Sequence, residues 1–435
     1  MLVKDSSSAK DFSGGLVSRA TLIALAGFLC HFFIMTAYYV LKPMRSSVFL
    51  STWGKEYFAA FLIANAITSF IASVVFGKLA DSTSKKFFIT GIQGFFIASI
   101  VCFWLYFSFV PINDGVAVFS LGMSACFILF VNCFVLFTVT PFWSLINDLF
   151  KAEQGKKLFG LIGSGGTLGA LCGSQVARKL AKPLGTMNLL PLSAGMLALT
   201  IPLFLVLIRF GGLKPKTPGS RNGKRKELKG PLEGLRIVFK RPYVAMIATI
   251  VLLSTFCMAV IDYQLHFVVG NELSELDQQT KFFGSAHTWI QLISIPVHLL
   301  VTPALLSFFG AGAALALLPL GLLGSSVLIL TKANIAVLFY VFVLCFALHY
   351  SVNQVSKELL YVPCDESVKY KAKAFIDIFG YRLGPVLCAS IQLLGSYLLF
   401  AFTSYSFVVI GTSLAWLPLV GIVQRRFQQN SQTEK

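Results

Sequence analysis

The sequence predicts an all-α membrane protein of about twelve transmembrane helices, arranged as two similar six-helix bundles. Three observations carry that expectation. The 435 residues are 56% hydrophobic and only 12% charged, whereas a soluble domain carries about a quarter charged residues. Most of the apolar residues fall in runs of about 20, the length that crosses a hydrocarbon core of about 30 Å at about 1.5 Å of helix per residue. One long basic stretch divides these runs into two equal sets.

The first set predicts spans near 20–41, 57–77, 87–109, 117–140, 158–177 and 190–210. The second predicts spans near 243–265, 282–308, 312–330, 334–356, 374–400 and 405–424. The chain therefore divides into an N-terminal bundle (1–210), a basic linker (211–242) and a C-terminal bundle (243–435). In the linker, Lys214, Lys216, Arg221, Lys224, Arg225, Lys226, Lys229, Arg236, Lys240 and Arg241 face only Glu227 and Glu233. Basic segments stay on the cytoplasmic side, which puts the linker and, with an even span count, both termini in the cytoplasm. Glu272, Glu275 and Asp277 then fall outside. Lys42, Arg45 and Lys55 beyond the first span, and Arg178, Lys179 and Lys182 beyond the fifth, break the charge rule. Either they snorkel to the interface or they serve a purpose inside the protein.

The formal charge of +18 sits in short loops rather than in a nucleic-acid-binding module, so nucleic acid is not an expected partner. Eight of the nine cysteines lie in apolar runs and no Cys-x-x-Cys occurs, which argues against disulfides. Without a metal-ligand cluster, a nucleophile motif or paired acids at membrane depth, no metal, cofactor or enzyme activity is expected. The first apolar run is too long for a signal-peptide core and reads as a retained span.

A shift of 215 residues superposes Lys156 on Lys371, Gly165 on Gly380, Leu168 on Leu383 and Gly169 on Gly384, the mark of two parallel repeats. Between the second and third spans, Gly77-Lys78-Leu79-Ala80-Asp81-Ser82-Thr83-Ser84-Lys85-Lys86 resembles the major-facilitator signature, with serines replacing its arginine and second glycine. Asp81 there can cap a helix and pair with Lys85, latching a gate; the plainer reading is a charged loop. Gly165, Gly169 and Gly173 form a small-residue face of the kind that lets helices approach closely in lipid. Ionisable groups at membrane depth mark functional candidates. These are Lys42 and Arg45 after the first span, Asp262 and His266 late in the seventh, and Arg382 in the eleventh, roughly 14 Å from Lys373 along a helix. Arg382 is either a substrate anchor or the ion-pair partner of Asp377. His31, His287 and His298 read as helix–helix hydrogen-bond partners.

Two stretches resemble the bacterial and plastid-type ATP/ADP carriers. One is Phe142-Trp143 with Asn147 and Lys156-Lys157-Leu158-Phe159. The other is KELLYVPCDESVKYKAKAFID, Lys357 to Asp377, which matches the family's K-E-x-x-Y-I/V-P-x-D-E-x-x-K-x-K-x-K-A-x-I/L-D without a gap. Tyr39-Val40-Leu41-Lys42-Pro43-Met44-Arg45 is similar to the family's basic pair in the first span. The chain departs from the pattern at Val131 and Asn132, where an acid is expected, at His266, which replaces a lysine, and near Pro385, where a second lysine is expected.

The resemblance implies a monomeric carrier in a bacterial cytoplasmic membrane, exchanging a small anionic nucleotide such as ATP or ADP. Lys42, Arg45, Asp262, His266 and Arg382 would contact the substrate while two halves rock about a central site. Asp81, Lys85, Gly165, Gly169, Lys357 and Asp377 would serve gating or structure. Two rival readings stay open: proton-coupled uptake of another organic anion, and a non-transporting receptor or assembly protein.

Overall fold

Hydrocarbon offers no hydrogen bonds, so a spanning segment must satisfy its own N–H and C=O groups, which a helix does. A computed structural model describes residues 13–82, 85–110, 118–150, 152–210, 231–365, 368 and 372–433. Among them the chain forms α1 (Ser13–Thr52), α2 (Phe58–Ser82), α3 (Lys85–Phe109), α4 (Val118–Leu149), α5 (Ala152–Leu184), α6 (Leu189–Ala198), α7 (Thr200–Phe210), α8 (Pro231–Lys240) and α9 (Pro242–Glu272). There follow α10 (Leu276–Pro296), α11 (Thr302–Phe308), α12 (Gly310–Thr331), α13 (Ile335–Leu348), α14 (Gln354–Leu359), α15 (Lys373–Phe375), α16 (Tyr381–Tyr397) and α17 (Tyr405–Thr433). Wide π-helical turns at Val297–Val301, His349–Asn353 and Ile376–Gly380 join α10 to α11, α13 to α14 and α15 to α16. The side chains of Asp81, Lys85 and Lys156, all of Lys371, and residues 211–230 of the linker lie outside the described residues.

Among the described residues, ten helical stretches are long and apolar enough to cross a membrane, which makes this a multi-pass membrane protein. The two expected spans outside the ten are the fifth and the eleventh, α5 and α15–α16. Both are helical, but glycine and polar residues dilute their apolar character. Two expected boundaries move. The first span, expected to end at residue 41, continues as helix to Thr52, so Lys42 and Arg45 lie inside it rather than beyond it. The fifth continues to Leu184, so Arg178, Lys179 and Lys182 belong to its last turns, where cations suit the helix's negative end. Charges and proline usually end a span; here they do not, because Pro43 is buried in a continuous helix.

Glycine explains how the two less apolar helices pack. A Cβ on Gly165, Gly169 or Gly173 of α5 would overlap the carbonyl of Phe28, Phe32 or Thr36 of α1. The partners advance in step, so the two helices run parallel in backbone contact. In the second half, a Cβ on Gly380 would lie 3.0 Å from Val251 and one on Gly384 would lie 2.6 Å from the Phe256 nitrogen, both on α9. The close approach lets the Thr255 hydroxyl donate to the Gly380 carbonyl at 3.1 Å. The glycines paired by the sequence repeat thus meet equivalent partners, the first helix of one set and the first of the other.

By proximity the chain falls into two compact units, one of Met1–Arg45, Ile71–Asp114 and Phe130–Ser220, the other of Ser46–Phe70, Gly115–Leu129 and Arg221–Lys435. The division inside α1 has a local cause. Past Arg45 the helix presents Ser47 to Thr280 and Ser51 to Gln279 of α10, and Lys55 in the following turn donates to Asn271.

The glycine contact makes a direct prediction. Gly169→Ala already places a carbon on the Phe32 carbonyl, and Gly169→Leu adds more; overpacking of this kind costs about 1–3 kcal/mol. Gly163, with nothing near its missing Cβ, should accept Ala with no loss of stability. Folded yield and melting temperature of the three purified variants check this. Wild-type stability in Gly169→Leu would mean that this face does not carry backbone contact.

Candidate functional site

The first unit places Lys42 and Arg45 three residues apart on one face of α1. Thr52 closes the helix, so Lys42 lies roughly 15 Å and Arg45 roughly 10 Å from that end. Both are half-buried. The Lys42 ammonium sits 5.1 Å from the centre of the Tyr39 ring, a cation–π distance. The Arg45 guanidinium donates to the Asn132 side-chain oxygen of α4. Asn132 occupies the region where the family resemblance implies an acid, so an amide oxygen meets this arginine where a carboxylate was implied. Lower on α1, His31 Nδ1 lies 3.1 Å from the Ile162 carbonyl, and its ring stacks on Phe142 at 5.0 Å. It acts as a helix–helix fastener.

The second unit brings Asp262 and His266 together one turn apart on α9. His266 Nδ1 lies 2.8 Å from the Asp262 main-chain oxygen and 3.2 Å from its carboxylate. The histidine is buried and the aspartate half-buried. Phe58 and Phe283 flank the imidazole with ring centres at 4.9 and 4.7 Å.

The KELLYVPCDE block folds into an ion network in the same unit. Lys357, 2% exposed, donates to the Tyr381 hydroxyl at 2.9 Å, and its Nζ lies 3.4 Å from Asp377 and 3.5 Å from Glu358. Tyr381 donates onward to Gln354 at 2.9 Å. Lys373 donates to Glu358 at 2.5 Å. Arg241 pairs with Asp365, and the Tyr243 hydroxyl donates to the Leu360 carbonyl at 2.8 Å, tying the loop to the start of α9. Burial, reinforced by the Asp377 and Glu358 carboxylates, pushes the Tyr361 phenol well up, so it stays protonated. Tyr381 and Gln354 were not singled out from sequence; Glu358 and Lys373 lie in the matched block and Arg241 among the linker cations, none of them with a role assigned. The density of alternating charge in the block was the available signal.

Arg382 follows this network directly on α16 and is half-buried. Gly380 and Gly384 face α9, so Arg382, midway between them and about 200° around the helix from each, projects from the opposite face. The same glycine register sets Arg382 level with Leu253, so it starts roughly nine residues, about 13 Å, from the level of Asp262. Asp377, the ion-pair partner that sequence offered for Arg382, is met by Lys357. Gly165 and Gly169 pack as described above, and the backbone of Asp81 and Lys85 ends α2 and begins α3.

With this geometry in hand, comparisons with known proteins are informative. The ADP,ATP carrier protein 1 of Arabidopsis thaliana chloroplasts is 23% identical over 280 residues, covering 58% of this chain and 45% of that protein. The ADP,ATP carrier protein 1 of Chlamydia pneumoniae is 21% identical over 313 residues, covering 59% of each. The chain spans about half the length of the curated relatives it matches. Among solved structures, a POT family transporter in complex with 5-aminolevulinic acid matches with a TM-score of 0.65 at 12% identity, over 93% of this chain and 96% of that one. The nucleoside transporter NupG matches with a TM-score of 0.66 at 12% identity, over 92% and 99%. At such identity the likeness is one of fold. The profile of the Major Facilitator Superfamily matches residues 27–358, most of the helical chain, and the chain belongs to that superfamily.

Proposed function

We propose that this chain is a secondary transporter, not an enzyme, that moves an anionic phosphorylated metabolite by alternating access, with an ATP/ADP-type nucleotide exchange as the leading reading. The observation that carries it is Arg382. A guanidinium within a membrane helix is costly and marks a functional candidate, and Arg382 is half-buried on the face of α16 turned away from α9. Arg presents planar, multi-donor recognition suited to phosphate. Within the first unit Lys42 and Arg45 place cations inside α1, and within the second Asp262 and His266 place polar groups on α9. The similarity to ADP,ATP carriers supports a nucleotide as cargo.

The test is counter-exchange in proteoliposomes. Vesicles loaded with ADP should take up labelled ATP, and empty ones should not. Failure across a panel of nucleotides would reject the nucleotide reading. Arg382→Ala should weaken substrate binding about tenfold to a hundredfold, since charge-assisted hydrogen bonds are worth roughly 1.5–3 kcal/mol each. Arg382→Lys should keep the charge, lose the planar fork and fall between. Unchanged binding in a folded Arg382→Ala protein would remove Arg382 from the site.

Lys357 and Asp377 belong to structure in this reading, with Gly165, Gly169, Asp81 and Lys85 in gating or packing. Lys357→Ala should cost about 1–2 kcal/mol by removing the buried ammonium that meets the half-buried Asp377 and Glu358 carboxylates. Adding Asp377→Asn should recover part of the loss in melting temperature. A double variant no more stable than the single would break the proposed pairing.

The chain would act as a monomer in a bacterial cytoplasmic membrane, with both termini and the linker in the cytoplasm. The charge asymmetry of the loops supports this orientation. A membrane-impermeant thiol reagent applied to whole cells should miss Ser220→Cys and label Ser274→Cys above the wild-type background. Outside labelling of Ser220→Cys would invert the topology.

A further inference from the structure

From Thr36 to Leu50, α1 is buried at every residue except Tyr38, Lys42 and Arg45. These three are spaced four and three residues apart, so they line one face of the helix. Charged groups at membrane depth turn to the protein interior or to water rather than to lipid. The face that carries Lys42 and Arg45 is therefore not a lipid face, and Tyr38 shares it. Along the helix axis the Tyr38 position lies roughly 6 Å from that of Lys42 and roughly 10 Å from that of Arg45.

The Tyr38 ring is held from behind. Phe134 of α4 stacks on it, with ring centres 5.7 Å apart and planes 22° from parallel. Phe134 is itself buried, and the buried Phe96 of α3 meets it edge-on at 5.3 Å. Tyr39 meets Tyr38 at 5.4 Å and nearly at a right angle. Arg45 lies within electrostatic reach of the Tyr38 hydroxyl, and its guanidinium donates to Asn132, on the same helix as Phe134. All of these residues belong to one compact unit. A half-buried ring fixed in this way loses little freedom when a flat molecule packs on it, so the contact adds to affinity at small entropic cost.

We propose that Tyr38 is a specificity-determining residue of this transporter, the platform on which a nucleobase packs while Lys42 and Arg45 of the same face meet the phosphates. A nucleotide is a flat ring joined through a sugar to a chain of anions, and this face of α1 is a flat ring followed by two cations. The cations attract any phosphorylated compound. The ring adds the part of the affinity that depends on a base. Every nucleobase has a π-face, so such a platform accepts bases without choosing strictly among them. What it selects is a nucleotide over a phosphorylated compound that has no base. The inference rests on the nucleotide reading above and adds to it the residue that recognises the base.

The experiment measures equilibrium binding of ATP, and of inorganic triphosphate, which carries the phosphates without the base, to the full purified chain in detergent. Tyr38→Leu should weaken ATP binding by roughly fivefold to 150-fold, the range that loss of one base–aromatic stack produces, and leave triphosphate binding as it was. Tyr38→Phe, which keeps the ring, should restore most of the ATP affinity. Unchanged ATP binding in folded Tyr38→Leu overturns the proposal. So does an equal loss of ATP and triphosphate, which would mark Tyr38 as a structural residue. Should Tyr38→Leu not fold, photolabelling of wild type with an ATP that carries an azide on its adenine ring decides. Label on α1 near Tyr38 or on α4 near Phe134 supports the platform, and label confined to other helices overturns it. Wild type that binds neither ATP nor ADP rejects the nucleotide reading and the platform with it. Nucleotide binding that is indifferent to Tyr38 removes the platform alone and leaves that reading standing.

Discussion

The backbone contact of α5 on α1, and its repeat of α16 on α9, is the constraint on which much else depends. In lipid there is no hydrophobic drive to bring helices together, so association relies on close packing and interhelical hydrogen bonds. Gly165, Gly169 and Gly173 remove the side chains that would separate α5 from α1, and Gly380 and Gly384 do the same for α16 and α9. Glycine weakens a helix by about 1 kcal/mol relative to alanine, and the gain from direct backbone approach offsets that cost. The helices packed this way are the two expected spans that lack the apolar character of the ten others. Their place in the fold is set by contact with a neighbour more than by preference for lipid.

That constraint also orients chemistry. With its glycines held against α9, α16 turns Arg382 to its opposite face. The residues before it are pinned by the Lys357 network, in which one buried ammonium meets a phenol and two carboxylates. A charge removed from water is tolerated when paired and hydrogen-bonded, and in this cluster Lys357 meets Asp377. The π-helical turn Ile376–Gly380 carries Asp377 of this network, and Tyr381, another member, directly precedes Arg382. Such turns are often found at functional sites, and this one leads from the Lys373 turn into the helix that carries the guanidinium.

The polar groups of α1 and α9 are held in a different manner. Arg45 meets the amide of Asn132, and Lys42 meets the face of Tyr39. On α9 a carboxylate and an imidazole share one turn within an aromatic enclosure. Here a histidine stands where the family resemblance implies a lysine. An amide in place of an acid beside Arg45 shifts the local balance toward positive charge.

Composition and run length alone determined that this is a multi-pass helical membrane protein, because crossing hydrocarbon demands about 20 apolar residues per helix whatever the packing. The glycine repeat was legible too, since small residues at every fourth position form one helix face. Sequence could not decide that Lys42 and Arg45 lie within α1: charge and proline signal a boundary locally, and only neighbours that bury Pro43 and engage the two cations keep the helix going. Nor could it decide the partner of Asp377. One turn of helix made Arg382 a candidate, whereas Lys357, twenty residues away, is the cation beside Asp377 after the chain folds back through Tyr361 and Cys364. The aromatic walls of the His266 site come from Phe58 and Phe283, far apart in sequence. Spacing within one helix reads its own face, but the residues that complete a site belong to other helices, and tertiary packing alone brings them there.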